Sequence, residues 1–493
     1  MTATAGASAD GARNWAQIDW DQARSEVRRL QVRIAKAVKE SRWNKVHALQ
    51  RLLTRSFYAK LLAVKRVTSN RGKRTPGVDG ILWQGARAKW QAACSLHRRG
   101  YRPQPLRRIY IPKKNGKKRP LSIPTLFDRA MQALYKQALA PVAETTADRN
   151  SYGFREGRSC ADAIAAAFNA LSKPNSAPWV LEGDIKGCFD NISHEWMLEH
   201  LPLERDILRR WLAAGYVEDN RLYPSRKGTP QGGIISPTLS NMTLDGMEEA
   251  VRAAVPRRHR VNFVRYADDF IVTGKSKRIL EGQVKPAIEA FLAERGLQLS
   301  PEKTVITHIR DGFTFLGQTF RKTGNVLRII PSVEGVLALI RKVGTLIRSH
   351  VSRPMPALVK QLSSVLRGWG NYHRHVVASV AFTRIDRHVR EQLWRMLRKR
   401  HPNKSKNWLF RRYWRNDGTR HIFGCTASTK RGTKRYEVVR LGALGIQRYI
   451  KIRADANPYL PEHAGYFWQR RHKKDTRILP AMSHRQCRAM SAI

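Results

Sequence analysis

Two adjacent aspartates stand between two short apolar runs near the middle of the chain. Residues 263–272 read Phe-Val-Arg-Tyr-Ala-Asp-Asp-Phe-Ile-Val. Aromatic and β-branched residues favour strands, so the pattern predicts a hairpin with Asp268 and Asp269 at its tip. An Asp-Asp pair by itself is more often a turn, a helix start or a solvated face. Between buried strands, however, two carboxylates are costly unless cations or donors satisfy them, which favours a bound metal.

A second strand that carries carboxylates lies upstream, where residues 179–190 read Trp-Val-Leu-Glu-Gly-Asp-Ile-Lys-Gly-Cys-Phe-Asp. If Asp184 and Asp268 meet at neighbouring strand ends, they can hold two Mg²⁺ ions about 3.5–4 Å apart, an arrangement that stabilises both the attacking and the leaving oxygens of phosphoryl transfer. Phe189 follows Asp184 by five residues, where its ring could abut the sugar of an incoming nucleotide. The two strands together indicate polymerase chemistry.

The charge of the chain indicates its partner. Its 493 residues include 92 Lys and Arg against 38 Asp and Glu, a formal net charge of +54. Such an excess predicts a polyanion, most commonly nucleic acid. Ribosomal proteins and proteins of anionic membranes are also basic, but 13 Trp and the carboxylate strands favour a folded enzyme. No apolar run approaches the roughly 20 residues that span a membrane. Five scattered cysteines without C-x-x-C spacing predict a reduced, cytoplasmic chain without structural zinc.

Three further segments carry candidate binding residues. Residues 108–121 read as a basic hairpin with an Asn-Gly tip. Residues 228–237 read Gly-Thr-Pro-Gln-Gly-Gly-Ile-Ile-Ser-Pro, which predicts a loop that enters a helix with Ser236 as its N-cap and Pro237 as its first residue. Arg158 stands close to another predicted helix start, where it could hold a phosphate.

The chain changes character after residue 331. Apolar periodicity predicts three amphipathic helices, within 333–347, within 358–369 with a stop at Gly370, and within 385–396. Three such helices make a small bundle, in which Trp369 and Trp394 are expected to pack. From residue 402 onward cations alternate with aromatic residues, a pattern that favours contact with phosphates and bases.

In this order, from roughly residue 20 to roughly residue 470, the motifs resemble those of group II intron-encoded reverse transcriptase/maturases. The resemblance implies an α+β right-hand polymerase fold of fingers, palm and thumb, with an α-helical thumb/maturase domain and a small basic C-terminal domain. The first twelve residues are rich in Ala, Ser, Gly and Thr, which predicts a disordered lead (1–20). The resemblance divides the rest of the chain into N-terminal extension helices and loop (21–105), fingers and palm (106–330), thumb or domain X (331–402), and a basic DNA-binding domain without an endonuclease (403–493).

The resemblance also assigns roles. Asp184, Asp268 and the carbonyl of Ile185 would ligate two Mg²⁺ ions with help from Asp269, and Lys303 would protonate the departing pyrophosphate. The incoming dNTP would contact Lys113, Arg119, Phe189 and Gln231. The residues that would contact nucleic acid are Arg158, Gly232, Arg374, Arg395, Arg398, Lys399, Arg400, Arg411 and Arg412.

The expected function is RNA-directed DNA synthesis from intron or other RNA, together with binding of a group II intron RNA to assist splicing and mobility. The implied partners are that intron RNA, an RNA template with a DNA primer, target DNA and dNTPs in a bacterial cytoplasm, with no membrane. One alternative is a stand-alone reverse transcriptase with a defence or repair role, against which domain X argues. Another is an RNA-binding splicing factor with an inactive palm, against which the intact set of Lys113, Asp184, Gln231 and Asp268 argues. An RNA polymerase is disfavoured because Phe189 should exclude a ribose 2′-hydroxyl.

Overall fold

A computed structural model describes residues 6–112, 116, 118–259, 261–416, 421–429 and 432–472. Helices and strands both contribute, which confirms the predicted mixture of the two. The described residues divide into two compact units. The first contains 6–159, 183–305 and 452–472, and the second contains 160–182 and 306–451. No helix in the described part of the chain is both long enough and apolar enough to cross a membrane.

The elements follow one another in this order. The first half contains α1 (Gly6–Ala16), α2 (Trp20–Lys39), α3 (Trp43–Arg55), α4 (Phe57–Ser69), α5 (Gly85–Ser95), β1 (Leu106–Pro112), β2 (Lys118–Ile123), α6 (Leu126–Thr146), α7 (Cys160–Leu171), β3 (Trp179–Asp184), α8 (Cys188–Asn191), α9 (His194–His200), α10 (Arg205–Leu212), β4 (Tyr216–Glu218), β5 (Arg221–Tyr223), α11 (Ser236–Leu244) and α12 (Met247–Ala253). The second half contains β6 (Asn262–Tyr266), β7 (Asp269–Gly274), α13 (Lys277–Ile279), α14 (Lys285–Ala293), β8 (Val305–His308), β9 (Phe313–Phe315), β10 (Gln318–Thr323), β11 (Val326–Pro331), α15 (Val333–Arg348), α16 (Met355–His373), α17 (Ser379–Arg400), α18 (Lys406–Tyr413), β12 (Trp414–Asn416), β13 (His421–Thr429), β14 (Gly432–Glu437) and α19 (Ala464–Arg471).

Helix α6 is the central helix of the first unit. Most of its length is buried, and it packs against α2, α3, α4 and α11. Helix α2 begins after the N-cap Asp19 and buries the apolar face that includes Val27, Ile34 and Val38. Helices α3 and α4 are separate, because Ser56 between them adopts an extended ψ of 128°.

The first helix corrects the prediction of a disordered lead over residues 1–20. Helix α1 lies against α5, and a Cβ on its buried Gly11 would lie 3.5 Å from the ring of Trp90. The rings of Trp15 and Trp20 lie edge to face with centroids 5.2 Å apart. Small residues are the reason to predict disorder, but Gly11, which has no Cβ, allows α1 to approach α5 closely. Residues 1–5 lie outside the described part of the chain.

One complete sheet of the first unit has the order β2-β1-β4-β5. Strands β1 and β2 form the predicted basic hairpin, with Ile111 opposite Arg119, whereas Lys113 in its connection lies outside the described residues. Strand β4 joins β1 in parallel, and β5 returns antiparallel to β4. A separate antiparallel hairpin, β6 and β7, carries the Asp-Asp pair.

The second unit contains the predicted helices, a sheet of order β11-β10-β9 and a sheet of order β12-β13-β14. Helix α15 packs against α16 and α17. Gly370 does not end α16, which continues to His373. A Cβ at Gly370 would lie 2.4 Å from the Leu444 side chain, so the glycine provides room for close packing instead.

Residues 452–472 belong to the first unit rather than to a single C-terminal domain. The Asn457 amide donates to Thr145 Oγ1 over 2.9 Å, and the Tyr459 hydroxyl donates to Glu156 over 2.6 Å. The guanidinium of Arg28 donates to the carbonyl of Pro458. This segment therefore lies over α2, the end of α6 and the residues that follow α6. The domain boundaries given by the resemblance stay a prediction.

Candidate active site

The Tyr-Ala-Asp-Asp sequence forms a tight hairpin connection. Tyr266 pairs with Asp269, which leaves Ala267 and Asp268 as a two-residue tip. Ala267 has φ 58°, a left-handed conformation that costs a non-glycine residue roughly 1–2 kcal/mol. Gly153 lies against this peptide, since a Cβ there would be 2.4 Å from the Ala267 nitrogen. Packing against a glycine therefore holds the strained turn in place.

Asp184 is brought to the same place by the end of β3. Gly183 precedes it and lies on the ring of Phe270 in β7, where a Cβ would approach to 2.1 Å. The peptide of Asp184 is fixed on its other side, because the Ser300 N–H donates to the Asp184 carbonyl over 2.8 Å. The Lys186 N–H donates to the Gln298 carbonyl over 2.9 Å. The intervening Ile185, which is buried, is thus held by both flanking peptides.

The three carboxyl groups interact electrostatically. Desolvation by the surrounding protein and the charges of Asp268 and Asp184 raise the pKa of Asp269 to about 7. Asp269 is nevertheless an exposed residue. Desolvation, followed by the charge of Asp184, also raises the pKa of Asp268. The ammonium of Lys303 donates to Asp184 Oδ2 over 2.8 Å, and this hydrogen bond raises the Lys303 pKa. The site therefore concentrates negative charge that cations relieve.

The donor set suits a hard divalent cation. Carboxylate and backbone carbonyl oxygens are the ligands that Mg²⁺ prefers, and Lys303 already places a positive charge against Asp184. Within the described ranges no group of three or more His, Cys, Asp or Glu residues is preassembled to hold a metal. Desolvation and, after it, neighbouring negative charge raise the pKa values of Asp268 and Asp269, so a cation that approached these side chains would be stabilised by them. The residues therefore fit the cofactor by their chemistry.

A buried arginine, not foreseen from the sequence, supports the hairpin. Arg265 in β6 has a fully buried side chain that pairs with Asp245 over 2.5 Å and with Asp148 over 3.8 Å. It also donates to the carbonyl of Ala267 over 3.4 Å. Its backbone pairs with the segment before Gly153, since the Tyr152 N–H donates to the Arg265 carbonyl over 2.9 Å. A charged residue inside an apolar strand was the only signal in the sequence.

Two of the candidate nucleotide residues, Arg119 and Gln231, are connected to each other beside the carboxylates. Arg119 Nε donates to Gln231 Oε1 over 2.7 Å, and Gln231 Nε2 donates to Asp190 over 3.0 Å. The charge of Arg119 lowers the pKa of Asp268 against the effect of burial, so the two residues interact electrostatically. Gly232 has φ 129° and lies on the Ser122 carbonyl, where a Cβ would approach to 2.6 Å. The loop thus joins the end of β2 to helix α8.

Phe189 is half-buried in α8, and its carbonyl accepts a hydrogen bond from the Thr229 N–H over 2.6 Å. Its ring lies edge to face with Phe154, with centroids 6.4 Å apart. Phe154 is exposed and has φ 57°, so a second strained residue stands next to the candidate nucleotide pocket. Helix α11 begins with Ser236 rather than being capped by it, since Ile235 is the N-cap and Pro237 the second residue.

Arg158 does not lie where a phosphate could reach it. Its side chain is 1% exposed and pairs with Glu144 over 3.4 Å, and it donates to the carbonyls of Ala454 and Ala456 over 3.1 and 3.4 Å. The segment that begins at residue 452 covers it, a long-range contact that no local pattern predicts. The interpretation of Arg158 as a nucleic-acid contact is therefore wrong, because its role is structural.

The candidate RNA-binding residues of the second unit differ in availability. Arg395, Arg398 and Lys399 are exposed on one face of α17. Arg400 is half-buried and donates to the carbonyls of Val351 and Arg353 over 3.0 and 2.7 Å, so it ties α17 to the loop before α16 rather than facing RNA. Arg374 is half-buried and donates to the carbonyl of Gly445 over 3.4 Å. Arg411 and Arg412 are exposed on α18, and Arg412 lies over the ring of Trp408.

Comparison with known proteins identifies three regions of the chain. Residues 15–96 match the N-terminal domain of reverse transcriptase, and residues 111–320 match reverse transcriptase, an RNA-dependent DNA polymerase. Residues 336–414 match the group II intron maturase-specific domain.

Individual relatives agree with these regions. Protein YkfC of Escherichia coli K12 is 31% identical over 316 residues, 55% of this chain and 82% of that protein. Group II intron-encoded protein LtrA of Lactococcus lactis is 29% identical over 392 residues, 64% of this chain and 63% of that protein. A solved structure of telomerase from Candida albicans aligns over 60% of both chains with 14% identity and a TM-score of 0.36, too weak a likeness to support any argument.

The matched domains define the class of the protein, a reverse transcriptase with an appended maturase domain. The chain belongs to the group II intron-encoded reverse transcriptase/maturase family. The prediction of an RNA-directed DNA polymerase with an intron-splicing role is thereby confirmed as to family. The chain spans just under two thirds of LtrA.

Proposed function

We propose that the chain copies RNA into DNA at the Asp184, Asp268 and Asp269 site by two-metal nucleotidyl transfer, and that it binds a group II intron RNA through its second unit. The observation that carries the first part is the electrostatic coupling of these three carboxylates with Lys303 and Arg119. The right-hand arrangement of fingers, palm and thumb is part of this proposal. So are the substrates, which are dNTPs and an RNA template with a DNA primer.

Asp184, Asp268 and the Ile185 carbonyl would hold two Mg²⁺ ions, with Asp269 assisting. When bound, the ions stabilise the attacking primer oxygen and the leaving pyrophosphate oxygen. Asp269 would lose its proton as positive charge arrives, because desolvation and the charges of Asp268 and Asp184 raise its pKa to about 7. Lys303, whose pKa is raised by Asp184, would keep its proton until the leaving group departs and then donate it, a general-acid role.

Arg119 and Lys113 would hold the triphosphate, since a guanidinium matches paired phosphate oxygens and an ammonium adds a point charge. Gln231 fixes Arg119 through a 2.7 Å hydrogen bond and would present its loop to the template base together with Gly232. Phe189 would lie against the sugar, where its ring leaves no room for a 2′-hydroxyl. In the second unit, Arg395, Arg398 and Lys399 would contact intron RNA, and the exposed cations of α18 would contact RNA or target DNA.

The test separates polymerisation from splicing. Asp268→Asn removes a negative ligand and should lower primer extension by about three orders of magnitude or more, because metal stabilisation of the transition state amounts to several kcal/mol. Protein-assisted splicing at near-physiological Mg²⁺ and the affinity for intron RNA should stay within twofold. Asp206→Asn is the matched control, since Asp206 forms an exposed pair with Arg209.

A second variant tests the sugar contact. Phe189→Ala should raise the incorporation of ATP relative to dATP by at least tenfold. Normal extension by Asp268→Asn would refute the metal assignment. Unchanged discrimination by Phe189→Ala would make Phe189 a packing residue.

A further inference from the structure

The sheet β2-β1-β4-β5 carries an aromatic and basic face that none of the assigned roles uses. Side chains alternate along each strand, and Arg119 pairs with Ile111, so these two residues share the face that leads to Gln231. The opposite face is called the outer face here. Its charged and aromatic members follow from the strand registers and are Arg108 and Tyr110 on β1, Lys118 on β2, Tyr216 and Glu218 on β4, and Arg221 and Tyr223 on β5.

Three side chains of the outer face form a stack across three strands. The guanidinium of Arg108 lies 3.8 Å from the ring centroid of Tyr216. Tyr216 in turn stacks on its cross-strand partner Tyr223, with centroids 5.4 Å apart and planes 17° apart. Strand β5 is the last strand in the sheet order, and Tyr223 is 38% exposed. The stack therefore ends in an aromatic ring at the edge of the sheet, where one further planar group can continue it.

The charges around this ring favour a polyanion. Arg221, Arg226 and Lys227 are exposed, and none of them forms an ion pair within the described ranges. The acidic Glu218 accepts a hydrogen bond from the Tyr110 hydroxyl, which raises the Tyr110 pKa. Pro224 follows Tyr223 and lacks an N–H, which discourages a protein strand from extending the sheet here. Aromatic rings beside cations are the combination that binds single-stranded nucleic acid.

We propose that the outer face binds the unpaired template RNA ahead of the copied base, with one base stacked on Tyr223 and phosphates held by Arg221, Arg226 and Lys227. The inference rests on the proposed polymerase function, because that function requires a single strand to approach the Arg119 and Gln231 site. Strand β2 carries Arg119 in the same sheet, and the Ser122 N–H at its end donates to the Gln231 carbonyl over 2.8 Å. The same sheet thus carries the stack on its outer face and Arg119 on the opposite face, so the template strand would pass around an edge of the sheet between them.

The experiment measures the affinity of the full chain for primer–template duplexes with a 5′ template overhang of about ten nucleotides or with none. Tyr223→Ala should weaken binding of the overhang substrate by about 5- to 150-fold, the effect of losing one base–aromatic stack. Binding of the blunt duplex should stay within twofold. Leu222→Ala is the matched control, because Leu222 is 65% exposed on the opposite face of the same strand and should change neither affinity.

Tyr223→Trp should retain the affinity, since stacking needs a ring and not the hydroxyl. A 2-aminopurine placed at successive overhang positions should be quenched at one position in the wild type and not in Tyr223→Ala. Arg221→Ala should reduce the dependence of log K on log salt by up to about 0.7, the value for one single-strand phosphate. Tyr223→Ala should leave that slope unchanged.

Equal overhang binding by Tyr223→Ala and the wild type would overturn the proposal, and the stack would then be a self-contained cross-strand pair or a protein contact. An equal loss on blunt and overhang substrates would also overturn it, as a general folding defect. All binding measurements are repeated in the Asp268→Asn protein, whose extension activity is scored separately. Failure of the polymerase assignment is thereby distinguished from failure of the template contact.

Discussion

The carboxylate site of the first unit and the basic face of α17 in the second unit carry their functional charges in opposite ways. Around Asp268 the backbone is fixed by the buried Arg265, the strained Ala267 and the close approach of Gly153. Arg395, Arg398 and Lys399 instead stand exposed on a regular helix, and no ion pair holds them within the described ranges. A catalytic step requires reacting groups held in one geometry. Electrostatic binding to phosphates is instead the sum of many contacts, each of which tolerates a mobile side chain.

The largest effect is expected from removing the buried guanidinium. Arg265→Met should lower the free energy of unfolding by about 3–5 kcal/mol, because it leaves Asp245 as an uncompensated buried charge. Primer extension should fall with it as the hairpin tip loses its support. Urea unfolding measures the first effect and single-turnover extension the second. Arg209→Met removes the same group from an exposed pair and should cost at most about 1 kcal/mol. Equal losses of unfolding free energy in Arg265→Met and Arg209→Met would show that the buried guanidinium does not hold the carboxylate site in place.

The pH dependence of stability should have opposite signs at His373 in α16 of the second unit and at Asp269 in the first unit. Burial lowers the pKa of His373, which contacts Gln318 Nε2 over 2.8 Å, from 6.5 to about 4. Its contribution is present above pH about 6.5 and is lost toward pH 4, on the order of 3 kcal/mol. The pKa of Asp269 is raised from 3.8 to about 7, so its effect on stability has the opposite sign. Its contribution to stability is present below pH about 4 and is lost as the pH rises through 7.

Hydrogen exchange of amides in α16 and β7 of the metal-free protein follows these two effects. His373→Gln should reduce the loss of exchange protection in α16 as the pH falls from 6.5 to 4. Asp269→Asn should reduce the loss of protection in β7 as the pH rises through 7. Added Mg²⁺ should reduce the second effect only. A common pH profile for both sets of amides would show that the chain unfolds as one unit, without local control by either group.

A smaller and distributed effect is expected on α17. Replacing Arg395, Arg398 and Lys399 together by Ala should reduce the slope of log K against log salt for intron RNA by up to about 2–3, since each phosphate contact contributes roughly 0.7–0.9. Splicing should weaken, and extension on a short unstructured template should not change. Arg400→Ala is the control, because Arg400 binds two backbone carbonyls and should lower thermal stability without changing the slope.

The smallest effect concerns the strained turn. Ala267→Gly should raise the free energy of unfolding by about 1 kcal/mol, because glycine adopts the left-handed conformation without a Cβ penalty. The same change at Ala290, exposed in helix α14, should lower it by about 1 kcal/mol. Extension by Ala267→Gly should fall slightly, as the tip gains freedom. A loss of stability at position 267 would mean that its side chain contributes more by packing than its backbone costs in strain.

Local patterns in the sequence were sufficient for much of the fold. Periodicity and turn residues predict the two strands around Asp268 and Asp269, the basic hairpin and the three helices from α15 to α17, because these signals depend on neighbours a few residues apart. Motif order was sufficient for the family, since Asp184, Gln231 and the Asp-Asp pair follow one another as in its members. The individual roles of these residues stay predictions.

Tertiary structure decided what local patterns do not contain. Arg158 looks like an exposed cation beside a helix start, but a segment nearly 300 residues further along the chain covers it. Arg400 continues a run of cations, but two carbonyls about 50 residues earlier bind it. Arg265 supports the turn only because Asp245 and Asp148 converge on it. A sequence specifies which side chains are charged, whereas the environment that buries or pairs each charge arises only when distant segments pack together.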